Sequence, residues 1–138
     1  MSAPDATAGP ARRPGPPSYL GRQVLAELYD CDAGMLADRD AVAAAMLAAA
    51  RACGATIVES VFHHFAPLGV SGVVVIAESH LTIHTWPEHR YAAVDVFTCG
   101  VTIEPGEAVD ALARTLAAGH LSLTEVNRGA VRHLRGSG

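Results

Sequence analysis

Side chains able to do chemistry concentrate in one stretch: Glu78, Ser79, His80, Thr82, His84, Thr85, Trp86, Glu88, Asp95 and Cys99. Glu78 and Ser79 close the most apolar run of the chain, SGVVVIAES. Polar groups at the mouth of a buried strand need partners, because each one left unsatisfied costs about 1–3 kcal/mol. A strand end opening onto solvent would meet that need without any function. A metal site would have to draw on His63, His64, His80 and His84. On an extended strand His80 and His84 stand about 13 Å apart, far beyond two ~2 Å bonds to one ion. His63 and His64 point to opposite faces, so no metal site is expected. A Ser-His hydrolase would pair Ser79 with His84, yet Ser79 lies in no GxSxG elbow. On a straight strand the two residues face opposite ways, roughly 16 Å apart, and could meet only across a sharp bend or between two copies of the chain. Pyridoxal phosphate is excluded in its usual form, because all ten basic residues are Arg and no lysine is present to hold it. A carbonyl electron sink, if there is one, must be made another way.

The elements that must position these residues alternate between two periods. RQVLAELYDC (22–31) reads as a strand with Val24, Ala26 and Leu28 on one face. DRDAVAAAMLAAARACG (38–54) reads as a helix, capped by Asp38 or Asp40 and stopped at Gly54. ATIVESVFHHF (55–65) is strand-like, APLG (66–69) is a turn, and SGVVVIAES (71–79) is a buried central strand. HLTIHTW (80–86) alternates strictly, with Leu81 and Ile83 facing one way and His80, Thr82 and His84 the other. After the turn PEHR (87–90) comes the strand YAAVDVFTC (91–99). A second helix follows over 104–119, with Pro105 in its first turn and Gly119 at its end, and then a strand over 120–126. The order β-α-β-β-β-β-α-β predicts an α+β two-layer sandwich: a mostly antiparallel sheet with helices on one face.

Composition sets the outer limits. The chain has 138 residues, 50% of them hydrophobic, and a mean hydropathy of +0.24, enough for one real core. Apolar stretches fall far short of the ~20 residues a membrane span needs, and no basic segment followed by an apolar run opens the sequence, so secretion is not expected. With a net charge of −4 and no basic stripe, neither nucleic acid nor a membrane is an expected partner. Cys31, Cys53 and Cys99 are odd in number and form no CxxC pair, so neither a disulfide framework nor a zinc site is expected and the cytoplasm is the default location. Residues 1–18 read as a disordered Pro/Ala-rich tail, 19–130 as one domain, and 131–138 as a frayed end.

ESHLTIHTWPE (78–88) resembles the self-processing segment of bacterial S-adenosylmethionine decarboxylase proenzymes. The resemblance extends over 54–100, with GRQVLAELYDCD (21–32) similar to the family's first strand and EVNRG (125–129) to its last. It implies a short, pyruvoyl-dependent decarboxylase. Ser79 would attack the carbonyl of Glu78, exchanging peptide for ester; elimination and hydrolysis would then leave a pyruvoyl group at 79 and a chain cut between 78 and 79. The pyruvoyl carbonyl would form a Schiff base with the substrate amine and serve as the electron sink. The match assigns His84 to proton transfer during processing, Ser71 to its support, and Cys99 to proton donation. On residue type alone a lone Cys99 could as well be a small buried hydrophobe. Phe65 matches a residue stacking on adenine and Glu88 one holding the ribose hydroxyls, while core packing and a solvated turn are their bland readings. Tyr29 falls near the substrate in the family pattern, Trp86 beside the site, and Cys31 and Cys53 are structural. The family implies a homodimer with active sites between subunits and a role in spermidine biosynthesis. The same chemistry on L-arginine or L-ornithine is the alternative, and an unprocessed binding homologue a third reading. Gln23 stands where the family often has His, and the N-terminal tail is extra.

Overall fold

The structure, a computed structural model, describes residues 18–99 and 102–135. Six strands form one fully antiparallel sheet in the order β2-β3-β4-β5-β1-β6. They are β1 (Tyr19–Tyr29), β2 (Ile57–His64), β3 (Val70–Ile76), β4 (Ser79–Trp86), β5 (Tyr91–Thr98) and β6 (His120–Ala130). Helices α1 (Ala33–Leu36), α2 (Arg39–Ala52) and α3 (Pro105–Thr115) complete the fold. The α+β sandwich expected from the element order is therefore the architecture.

Two-residue alternation decides which face is covered. Val24, Ala26 and Leu28 of β1, Leu81 and Ile83 of β4, and Val94 and Val96 of β5 are buried beneath α2 and α3, which pack against each other as well as against the sheet. Each Val, Leu or Ile among them contributes about 1.5–3 kcal/mol by leaving water, and the Ala26 methyl about 0.8 kcal/mol. The intervening residues face the other way, where no helix lies among the described residues.

Local signals account for most boundaries. Asp38 caps α2 by accepting from the amides of Asp40 and Ala41, and Gly54 (φ 84°) takes the left-handed step that ends it. At the end of α3 the expectation fails: the helix stops at Thr115 and Ala117, not Gly119, takes the left-handed conformation. Gly119 instead packs closely against the end of β1: a Cβ there would lie 3.1 Å from Cβ of Asp30. Helix α1 was not anticipated; Asp32 caps it through the amide of Met35, and four residues are too few to show a period. The strand expected over 71–79 ends at Ile76, so Ser79 opens β4 instead of closing β3. Strand β6 runs four residues past the expected 126 to Ala130, and a 3₁₀ turn (Val131–His133) follows. Most of the tail expected over 1–18, and residues 136–138, lie outside the described residues.

Thr85 ties the layers together. Its buried hydroxyl donates to the carbonyl of Leu36 (2.8 Å) and accepts from the amide of Val70 (2.9 Å). Thr85→Val keeps the shape and leaves both backbone groups unpartnered, so a loss of about 1–3 kcal/mol is expected, read by urea unfolding in a Ser79→Ala background that keeps the chain whole.

Candidate functional site

Strand β4 is paired on both sides without a register break, to β3 from Ser79 to His84 and to β5 from Ser79 to Trp86. The backbone at Ser79 is thus held between Ile76 and Thr98. The tight β3–β4 turn consists of Ala77 and Glu78. Glu78 has φ 63°, a left-handed conformation that costs a side-chain-bearing residue roughly 1–2 kcal/mol. In this turn Ser79 Oγ lies 2.6 Å from the Glu78 carbonyl oxygen and donates to it. The hydroxyl is therefore already seated against the carbonyl it would attack, next to a strained residue, which fits a cofactor made from Ser79. Cys99 follows Thr98, the cross-strand partner of Ser79, and its thiol is exposed. Glu78, Ser79 and Cys99 thus share one end of β4 and β5.

Four other expected residues gather at the opposite end. Ser71 and His84 are cross-strand partners, with Ser71 Oγ 2.8 Å from His84 Nδ1. Either tautomer satisfies this bond; the one in which Nδ1–H donates leaves Nε2 as a base. Phe65, Leu68, Ser71, His84, Trp86 and Glu88 line one cleft of about 240 Å³. The amide of Phe65 donates to the Gly69 carbonyl (2.9 Å), and its ring meets His63 edge-on at 4.4 Å. Glu88 sits in a 3₁₀ turn (Pro87–His89) closed by Arg90 in the left-handed region. Ser79 and His84 face opposite sides of the sheet, and a straight strand separates them by roughly 16 Å. One chain does not bring the two groups together.

The helix-free face carries two further clusters that residue type alone did not reveal. Gln23 Nε2 donates to Asp95 Oδ1 (2.9 Å), while Asp95 Oδ2 faces His80 Nε2 (3.4 Å) and Thr82 Oγ1 (3.5 Å); Arg128 Nη1 donates to Gln23 Oε1 at 2.5 Å. At the other end Tyr29, Tyr91 and Trp86 form an aromatic row, with ring centroids 5.4 and 5.3 Å apart. The Tyr91 hydroxyl donates to Glu27; burial, with Glu27 beside it, pushes the phenol up to about 12. Cys31 and Cys53 are buried, as expected for structural thiols, and burial foremost, with Asp30 second, pushes Cys31 up to about 11.

An open antiparallel sheet backed by helices, with a serine hydroxyl set against the preceding carbonyl in a left-handed turn, is an arrangement that a self-processing chain would need. The comparisons agree. A family model described as S-adenosylmethionine decarboxylase matches residues 22–129. An S-adenosylmethionine decarboxylase proenzyme of Acidithiobacillus ferrooxidans is 55% identical over 112 residues, covering 81% of this chain and 84% of the relative. One from Caldicellulosiruptor saccharolyticus is 54% identical over 110 residues, covering 80% and 89%. The crystal structure of the adenosylmethionine decarboxylase of Aquifex aeolicus superposes with a TM-score of 0.77 at 33% identity, covering 86% of this chain and 98% of that one. The chain belongs to the S-adenosylmethionine decarboxylase family. None of these three relatives is named for arginine or ornithine.

Glycine adopts the left-handed conformation without the penalty borne by Glu78. Glu78→Gly is therefore expected to slow the cut between 78 and 79 by several-fold, at most about thirtyfold if all the strain is expressed in the barrier. Intact mass during a cell-free translation time course reads the rate; cleavage as fast as in the parent would show that the strain does not contribute.

Proposed function

We propose that the protein is a pyruvoyl-dependent S-adenosylmethionine decarboxylase, formed by self-cleavage between Glu78 and Ser79, that works as a homodimer and supplies the decarboxylated product to spermidine synthesis. The observation that carries the reading is the Ser79 hydroxyl seated against the Glu78 carbonyl in a strained turn. When formed, the pyruvoyl group supplies the carbonyl electron sink that a chain without lysine has to find elsewhere. Cys99, exposed beside the partner strand of Ser79, is the proton donor. His84, oriented by Ser71, takes up a proton during processing. In the cleft, Phe65 stacks on the adenine and Glu88 takes the ribose hydroxyls.

The division of these groups between two ends of β4 supports the dimer. Ser79, Glu78 and Cys99 of one copy need His84, Ser71, Phe65 and Glu88 of another, and a two-fold axis supplies both sites at once. The helix-free face suits that contact, since Leu25, Tyr29, Val61, Val75 and Trp86 are exposed on it. Three unpaired cysteines suit a reducing compartment, and the cytoplasm is the proposed location. No helix among the described residues is long and apolar enough to cross a membrane. Residues 19–130 form the processing unit, with 1–18 and 131–138 as extensions; the family match over 22–129 supports those limits.

Intact mass under denaturing conditions should show two fragments, 1–78 and 79–138, with the second lacking serine at its start. Ser79→Ala should give one whole chain and no CO₂ release from S-adenosylmethionine. A single species from the parent protein would overturn the reading. Co-expression of Ser79→Ala with His84→Ala tests the shared site: neither chain should be cut alone, and the His84→Ala chain should be cut when mixed. Absence of cutting in mixed dimers would place each site within one chain.

A further inference from the structure

Cutting the chain at 78/79 sets a positioning problem at the new chain start. Before the cut, residue 79 is held by the peptide bond to Glu78, by its own amide, and by its place in the ladder. Afterwards the tether is gone. The amide N–H of residue 79 is gone too, since that nitrogen is lost when the carbonyl forms. A methyl ketone offers no donor of its own. The first amide of the new chain is that of His80, and the first anchored side chain is also His80.

The surroundings of that side chain are built from three other strands. The His80 ring stacks on Phe97 (centroids 5.7 Å, planes 23° apart), its cross-strand partner. The Phe97 ring in turn lies over Gly21, where any Cβ would stand 2.6 Å from Phe97 Cζ. Asp95 faces His80 Nε2 at 3.4 Å and is itself held by Gln23 at 2.9 Å, which Arg128 engages from β6. The contacts thus run from β4 through β5 and β1 to β6, and none crosses the bond that is cut.

We infer that the Gln23–Asp95–His80 brace, with Phe97 packed on Gly21 behind it, is a positioning device that fixes the pyruvoyl-bearing chain start after cleavage. The inference rests on the proposed cut and deepens it. His80, Asp95 and Gln23 act through the strand, as positioning residues. The brace is dispensable before the cut, when the turn holds Ser79, and needed after it.

The test compares cut and uncut protein by hydrogen exchange and by kinetics. His80→Ala and Asp95→Ala should still yield fragments 1–78 and 79–138, which separates this question from the cleavage reading: an uncut parent overturns that reading, whereas cut variants leave it standing. In the cut variants the amides of residues 80–82 should exchange at least tenfold faster than in the cut parent. In a Ser79→Ala background the same substitutions should leave those amides within about twofold. Turnover per pyruvoyl group should fall roughly tenfold or more, since ångström-scale misplacement of a reacting group costs up to about a hundredfold, while KM stays within about twofold. Asp95→Asn, which keeps one acceptor oxygen where the carboxylate uses two, should recover only part of the turnover and the protection. Where His80→Ala yields no folded protein, Gln23→Ala removes the support of Asp95 from an edge-proximal strand and is read in the same way. Equal exchange in cut and uncut chains, or turnover per pyruvoyl equal to the parent, overturns the brace.

Discussion

The two-residue period of β4 is the constraint on which the rest depends. An extended chain paired on both sides cannot rotate about its own axis, so residues an odd number apart face opposite layers. Ser79 and His84 are such a pair, and β4 holds its register from one to the other against both neighbours. No rotamer change closes a gap of roughly 16 Å. A rigid strand therefore holds each group at its own end of β4 and forbids their meeting within one copy. Rigidity and incompleteness have the same origin.

That rigidity also explains how a strained turn persists. Glu78 holds a conformation that side-chain-bearing residues avoid, and it does so because the strands on either side dictate where the turn begins and ends. Ile76 and Ser79 are directly opposed, which leaves only Ala77 and Glu78 to reverse the chain. The amide of Ala77 is bound to the carbonyl of Thr56, so the turn has little freedom to relax. A hydroxyl attacking its own neighbouring carbonyl needs placement more than it needs a strong base. Ladder pairing supplies placement, and strand propensity in VVVIAESHLTIHTW supplies the ladder.

Much of this was legible in the sequence, and the failures have physical reasons. The alternation HLTIHTW showed which residues of β4 face the helices, because burial on one side imposes a period that composition alone cannot hide. Asp38 and Gly54 marked the ends of α2 because capping is local chemistry. The β3–β4 boundary was misplaced because a two-residue turn of Ala and Glu carries neither Gly nor Asn, the residues that ordinarily signal a left-handed step. Ala117 escaped notice for the same reason. Phe65, Ser71, His84 and Glu88 were named singly through resemblance, but their assembly into one cleft needed the register of β3 on β4. The contact from Gln23 to Asp95 joins residues 72 positions apart, and only the pairing of β1 with β5 brings them together.

The absence of lysine and the bare sheet face belong to one argument. A chain that cannot hold a carbonyl cofactor by a lysine amine can generate a carbonyl from its own backbone, but only where a peptide bond can be broken without loss of the fold. A turn between two central strands meets that condition: the fragments on either side remain bound through β3–β4 pairing and a shared core under α2 and α3. An edge strand would leave with its fragment, and a helix interior would lose its hydrogen-bond ladder at the cut. Placing the cut at the sheet centre leaves the new chain start between two paired strands. His84, which in the proposed dimer would be brought to the cut by a second copy, lies on the face that no helix covers. The open face, with its exposed Leu25, Val75 and Trp86 and its polar brace, is the surface that the proposed second copy would cover.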